Sequence, residues 1–250
     1  MTRTPRITFL GVSDATYLAG INTSVLYAGQ ATVLIDCGPS IPRRLLETCD
    51  NPEALDAIWI THQHADHCFG LPTLLLSLRL AGRQRPLELM GGPGSSRFLR
   101  ELLELGYPGS FRPEKCFAIE LVEVEPASSV ERFGLKFSTA RTQHRVACHS
   151  LRIDDNERSV CISGDGKVTP ETLRLFRRAD LVVHDCQWAA RASEDHSSVT
   201  DLQPLFDEAS ISRLALVHCN HDERQAIAER AENLWGKRAW LPIAGEVCDV

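Results

Sequence analysis

The stretch Ile58-Trp59-Ile60-Thr61-His62-Gln63-His64-Ala65-Asp66-His67-Cys68-Phe69-Gly70-Leu71-Pro72 decides how this chain is read. Its first residues are apolar, β-branched or aromatic, the composition of a buried strand. Side chains alternate along an extended chain, so His62 and His64 at the strand end face the same side. Asp66 and His67 follow in a turn. Leu71-Pro72 then opens a helix, where proline is tolerated in the first turn. Two imidazoles can clamp one cation while the turn offers a carboxylate and a third imidazole to a second. Imidazole and carboxylate are the usual zinc ligands. A reading in which Asp66 only caps the helix leaves unexplained why four ligand-type residues crowd into so short a segment.

The other histidines repeat the pattern of clustering. All nine fall in four groups, at 62, 64 and 67, at 144 and 149, at 184 and 196, and at 218 and 221. Residues 1–61 and 222–250 contain none, so imidazole is concentrated where something needs it. The nine cysteines behave differently: they form no CxxC pair, and most sit in apolar runs such as Val160-Cys161-Ile162. A structural zinc ribbon needs paired thiolates, so these cysteines read as reduced, small hydrophobes.

Composition narrows the class. A chain of 250 residues, 43% hydrophobic, can bury roughly 75% of its unfolded surface. It reads as one domain spanning 1–250. Basic residues number 27 and acidic residues 33, a net charge of −6, so no whole-molecule basic footprint for nucleic acid is visible. The longest apolar run, Leu71 to Leu80, is interrupted by Pro72, Thr73, Ser77 and Arg79. A bilayer span needs about 20 apolar residues, so no membrane partner is expected. The first ten residues carry no apolar core of a secretory signal, and the expected location is the cytoplasm.

Strand-like runs are Ile7–Val12, Thr23–Ala28, Ala31–Asp36, Ala57–Thr61, Pro86–Met90, Cys116–Val124, Leu135–Thr142, Leu151–Ile153, Ser159–Ser163, Asp180–His184 and Arg213–His218. A hairpin turn is expected around Gly29. Helical patterns cover Ile41–Cys49, Leu71–Leu80, Ser95–Leu105, Pro170–Arg178, Asp201–Glu208 and Asp222–Leu234, with Thr169 and Thr200 as candidate N-caps.

HxHxDH after an apolar strand resembles the signature of the metallo-β-lactamase superfamily, and the continuation GLPTLLLSLRL…PLELMGGPG resembles ribonuclease Z and its short relatives. Further segments match in the family's order: Leu34-Ile35-Asp36-Cys37-Gly38, Thr142-Gln143-His144, Ser163-Gly164-Asp165-Gly166, His184-Asp185 with Asp195-His196-Ser197, and Leu216-Val217-His218. The resemblance implies an α/β fold, the αββα sandwich with two mixed sheets between helical layers, carrying two zinc ions at one edge. It assigns His62, His64 and His144 to one metal and Asp66, His67 and His218 to the other, with Asp165 bridging. His64 stands where the di-iron members have glutamate, which favours zinc, with manganese or iron as the other candidates. Asp36 either orients an imidazole of the first cluster or forms the turn after its strand. His149 is read as a substrate contact, with a packed polar residue as the alternative. His184 is expected to pack, and His221 to be a solvated residue at a helix start.

Two zinc ions sharing a water would make a metal-bridging hydroxide near neutral pH, which Asp66 would aim. His196, oriented by Asp185, would protonate the leaving group or stabilise the oxyanion. That pair resembles the one in phosphodiester-cleaving members, so the expected activity is hydrolysis of a small phosphodiester or cyclic nucleotide. The long tRNA-gripping arm of ribonuclease Z is missing: Leu151 to Ser159 offers only a short acidic turn. This argues against tRNA and for a small-molecule partner; the resemblance also admits a homodimer. Two other classes use the same residues: a carboxyl-ester, lactone or thioester hydrolase, and a non-catalytic metal or redox sensor suggested by Cys68 and Cys219 beside the ligands.

Overall fold

Alternation along the buried strands sorts their side chains into three apolar layers. In the computed structural model, which describes residues 4–49, 51–156 and 158–250, Val33 and Ile35 face a central core while Leu34 faces away. Trp59 against Ile58 and Ile60, and Val183 against Val182, divide in the same way. A strand with both faces buried must be apolar throughout, which is why these runs lack the polar alternation of a surface sheet.

The first sheet is built from β1 (Arg6–Gly11), β2 (Ser24–Ala28), β3 (Thr32–Ile35), β4 (Ala57–Ile60), β5 (Leu87–Gly91) and β6 (Ile119–Glu123). The second contains β7 (Ser129–Arg132), β8 (Leu135–Arg141), β9 (His149–Asp155), β10 (Arg158–Ile162), β11 (Leu181–Asp185), β12 (Arg213–Val217) and β13 (Ala239–Trp240). A last strand, β14 (Val247–Asp249), returns to the first sheet beside β1. The spatial orders are β14-β1-β2-β3-β4-β5-β6 and β13-β12-β11-β10-β9-β8-β7.

Helices α1 (Ile41–Thr48), α3 (Leu71–Leu80) and α4 (Ser95–Gly106) cover the outer face of the first sheet through Leu45, Leu74, Leu78, Leu99 and Leu102; α2 (Ala65–Cys68) is a single turn after β4. Helices α5 (Pro170–Phe176), α6 (Gln203–Asp207) and α7 (Arg224–Trp235) cover the second through Phe176, Leu205, Ile227 and Trp235. This is the expected αββα sandwich.

Local readings were corrected in places. Strands β7, β13 and β14 escape a pattern search because they are short, and β7 and β14 are mostly exposed. The strand expected from Cys116 begins only at Ile119, and the one expected over Leu151–Ile153 extends to His149–Asp155. Thr169 caps α5, its side chain accepting from Thr172 N. Thr200 caps nothing. It lies inside a 3₁₀ turn whose N-cap is Ser198, with Asp201 Oδ2 accepting from Ser198 N at 2.9 Å.

Strand direction positions the site. β3 and β4 run parallel, as do β10, β11 and β12, and β8 shares the direction of β10 because each pairs antiparallel with β9. The carboxyl ends of these strands release Asp36, His62, His144, Asp165, Asp185 and His218 toward one edge of the sandwich. Sites in α/β sheets form at strand carboxyl ends for this reason.

Candidate metal centre

After Ile60 the chain leaves β4 through Thr61, and Asp36 fixes the exit. Its Oδ1 accepts from Thr61 N and its Oδ2 from Thr61 Oγ1, both at 2.8 Å. His64 is extended, with ψ of 147°, immediately before α2 turns Asp66 and His67 inward. Asp165 lies between Gly164 and Gly166, whose φ angles are +67° and +118°. A Cβ on Gly164 would come within 2.7 Å of Cys148 Sγ, and one on Gly166 within 2.7 Å of Gln143 O. Only glycine allows this approach. His218 itself holds a left-handed φ of +57°, the backbone strain that concentrates at functional sites.

Two groups of donor atoms result. His62, His64, His144 and Asp165 place one ligand atom each within 4.8 Å of one another, as do Asp66, His67 and His218. Asp165 reaches both: its Oδ2 is 3.6 Å from His62 Nε2 and 3.5 Å from His218 Nε2, while its Oδ1 is 3.2 Å from His67 Nε2. All seven residues of the expected ligand set therefore meet at one point.

The outward ring nitrogens are held in turn. His67 Nδ1 is 2.7 Å from Asp36 Oδ2, His62 Nδ1 is 3.0 Å from Thr61 Oγ1, and His144 Nδ1 is 2.8 Å from the carbonyl of Asp195. Such partners fix the ring and direct its other lone pair. Thr61 and the Asp195 carbonyl went unrecognised in the sequence. Thr61 could have been found as the residue entering the motif; a backbone acceptor 51 positions from His144 leaves no residue-type signal. Thr142 is similar, its hydroxyl donating to Asp165 O at 2.7 Å.

Divalent cations fit this donor set. His67 Nε2 and Asp165 Oδ1 are buried without a hydrogen-bond partner although they lie 3.2 Å apart. Neither atom satisfies the other, and a cation between them would take a lone pair from each once the proton on His67 is displaced. Burial and the neighbouring His67 charge push His62 down to about 2, leaving it a neutral donor. Burial opposes the charge on Asp165, but His218, His67 and His62 hold it far below the carboxylate range. Burial likewise lowers His218, yet Asp165 and Asp66 outweigh it and raise it to about 9. Protons on His67 and His218 balance the carboxylates, so a cation entering here displaces them.

His196 stands across the cluster, with a ring nitrogen within 4.8 Å of ligand atoms of Asp165 and His218. Its Nδ1 is 3.0 Å from Asp185 Oδ2, which also accepts from Gly166 N at 2.9 Å. Burial lowers the pKa of His196, but the hydrogen bond and charge of Asp185 dominate and raise it. His149 is buried with its ring against Gly92. His184 packs fully buried, its Nδ1 2.8 Å from Asp185 O. His221 is exposed at the start of a 3₁₀ turn and stacks on Tyr17.

Residues 5–235 match the family model described as anti-Pycsar protein Apyc1. A ribonuclease BN of Citrobacter koseri is 36% identical, with 76% of this chain and 80% of the relative covered. Among solved structures, the metallo-β-lactamase fold protein YhfI from Bacillus subtilis superposes with a TM-score of 0.84 at 18% identity, covering 99% of this chain and 100% of that one. The human short-form tRNase Z gives 0.77 at 22% identity, covering 98% and 99%. No described helix is long and apolar enough to cross a membrane. With its HxHxDH turn, its sandwich and a family match across most of its length, the chain belongs to the anti-Pycsar protein Apyc1 family, within the ribonuclease Z-like part of the metallo-β-lactamase superfamily.

Proposed function

We propose that this protein is a dinuclear zinc phosphodiesterase acting on a small phosphodiester, with a cyclic nucleotide as the favoured substrate. His62, His64 and His144 would hold one zinc and Asp66, His67 and His218 the other, with Asp165 shared. Bound there, the two ions would supply Lewis acidity to the phosphoryl oxygens and lower the pKa of water.

One observation carries the reading: the Asp185–His196 pair lies outside both ligand trios yet faces the cluster. Because Nδ1 of His196 is committed to Asp185, Nε2 is the nitrogen left to donate. As the attacking water oxygen bonds to phosphorus and the ester P–O bond breaks, His196 gives its proton to the departing oxygen. Asp185 keeps the ring charged and aimed until then. Asp66, whose side chain is 13% exposed against 3% for Asp165, is the cluster carboxylate best placed to accept a hydrogen bond from the attacking water.

Substrate size follows from the hairpin between β9 and β10. Asp155 pairs with Arg158, so only two sequence positions, 156 and 157, separate the paired ends of the strands; Glu157 lies outside the described residues. Alignment with the Citrobacter koseri ribonuclease BN spans 249 positions while using 76% of this 250-residue chain, so that relative holds residues for which this chain has no counterpart. A tRNA-gripping arm cannot be built from two residues. The redox-sensor reading gains nothing from Cys68 and Cys219. Both are buried, and burial pushes their thiols up to about 12, where they stay protonated and unreactive.

The test is a metal-replete panel of bis(4-nitrophenyl) phosphate, a cyclic nucleotide, precursor tRNA, a lactone and a thioester, each with and without chelator. The diesters should be cut fastest, and chelation should stop the reaction. Faster opening of the lactone or thioester, or tRNA processing at the diester rate, would overturn the proposal.

A further inference from the structure

The segment that carries His196 has little backbone support of its own. Trp188 N donates to Ser197 O at 3.3 Å and Val199 N to Trp188 O at 3.0 Å, which closes its base. From Ala189 to His196, no backbone N–H donates to a backbone carbonyl among the described residues. Ala190, Arg191, Ala192 and Glu194 are exposed, so apolar burial does not hold the segment either. A proton-donating ring must nevertheless keep its position closely, because a displacement of about 1 Å costs about 10²-fold in rate.

The support comes from the turn after β10, two residues past Asp165. Lys167 is fixed there through its backbone: its N donates to Gln143 O at 3.0 Å and its O accepts from Gln143 N at 3.1 Å. Its ammonium then crosses to the His196 segment, where Nζ donates to Ser193 O at 3.2 Å and lies 3.1 Å from Asp201 Oδ1. Ser193 precedes His196 and Asp201 follows it, so one ammonium ties both flanks. Each anchor passes the hold inward: Ser193 Oγ accepts from His196 N at 3.2 Å, and Asp201 Oδ2 from Ser198 N at 2.9 Å. Gly166 acts beside it. Its N donates to Asp185 Oδ2, the oxygen that also holds His196 Nδ1, and its O accepts from Ser197 Oγ at 3.0 Å. Gln143, His144 and Arg145 also reach the segment, but only at Glu194 and Asp195, on one flank. The Arg145 side chain is 78% exposed, where water screens its pair with Asp195, whereas that of Lys167 is 22% exposed.

We propose that Lys167 is a positioning residue for His196: it clamps both flanks of an otherwise weakly held segment and so keeps the imidazole on Asp185 and facing the cluster. The inference rests on the phosphodiesterase reading, in which His196 gives its proton to the departing oxygen. Lys167 itself transfers no proton. Its ammonium is committed to a carbonyl and a carboxylate, and it acts on the reaction only through the ring it places. Loss of the clamp should therefore slow those substrates whose leaving group needs a proton and spare those whose leaving group does not.

The experiment compares kcat on 3′,5′-cyclic AMP, which releases an alkoxide, with kcat on bis(4-nitrophenyl) phosphate, which releases a stable phenolate, using zinc-loaded protein. Lys167→Met keeps the apolar stem and removes the ammonium. It should lower kcat on the cyclic nucleotide by about 10- to 100-fold and leave the nitrophenyl ester nearly unchanged. Added to His196→Ala it should cost nothing further, because both changes remove the same proton. Ser193→Ala breaks the last link to His196 N and should show the same selective loss, which decides the matter if Lys167→Met does not fold. Equal falls on both substrates, no fall on either, or an additive loss in the double variant would overturn the proposal. If the wild-type protein cuts neither ester, the phosphodiesterase reading fails, and imidazole NMR decides the positioning separately. A His196 Nδ1–H resonance that is sharp in the wild type and broadened or shifted in Lys167→Met would support the clamp; an unchanged resonance would refute it.

Discussion

Replacing Asp36 by asparagine tests whether a residue that touches no cation governs one of the two candidate sites. Asp36 is 3% exposed and acceptor-only, and it serves three groups: Thr61 N, Thr61 Oγ1 and His67 Nδ1. Asparagine keeps the shape but exchanges one acceptor oxygen for an NH₂ donor. If its oxygen faces Thr61 N, the NH₂ confronts the Thr61 hydroxyl and the donor edge of His67. If it is flipped, the NH₂ confronts Thr61 N. Either way a buried donor loses its partner, at about 1–3 kcal/mol. For a protein of this size that corresponds to a fall of roughly 2–10 °C in Tm. The unheld ring of His67 should also weaken zinc binding at the Asp66–His67–His218 set by about 10- to 100-fold. The His62–His64–His144 set, oriented by Thr61 and Asp195, should change less. Zinc titration against a chromophoric chelator, alongside a thermal melt, reads both effects. Two zinc ions bound with wild-type affinity and an unchanged Tm would refute the reasoning.

His196→Ala should keep its metals and its fold while turnover falls by about 10²–10⁴, with a smaller loss for substrates whose leaving group needs no proton. Wild-type turnover on every diester would show that the ring has no part in the reaction. Zinc affinity should rise with pH. Burial lowers His67 and His218, but Asp165 raises both, His218 to about 9, so below that pH an entering cation competes with protons and loses more as pH falls. Chelator competition between pH 6 and pH 9 that showed constant affinity would contradict this. Asp155→Ala should destabilise the protein by about 1.5–3 kcal/mol, because its carboxylate ties Tyr27 on β2 and Gln30 in the β2–β3 turn to the β9–β10 hairpin of the second sheet. A denaturant midpoint equal to wild type would show that this clamp contributes nothing.

How much was legible depends on the range of each interaction. Local spacing was enough for His62, His64, Asp66 and His67, since a strand end and one helical turn fix their relative directions within a few bonds. Continuous apolar runs were enough for the buried central strands. They failed for β7, β13 and β14, which owe their existence to a pairing partner and not to their own composition.

The remaining site depended on tertiary structure, because its contacts join residues that no periodicity relates. Asp36 meets His67 across 31 positions, and His218 meets Asp66 across 152. Parallel strand order brings these segments to one edge, and hydrogen bonds through backbone carbonyls, as at His144, carry no residue-type signature. The amino-acid sequence by itself determined which side chains could bind and donate. Which of them share a point in space was decided only when two sheets packed face to face.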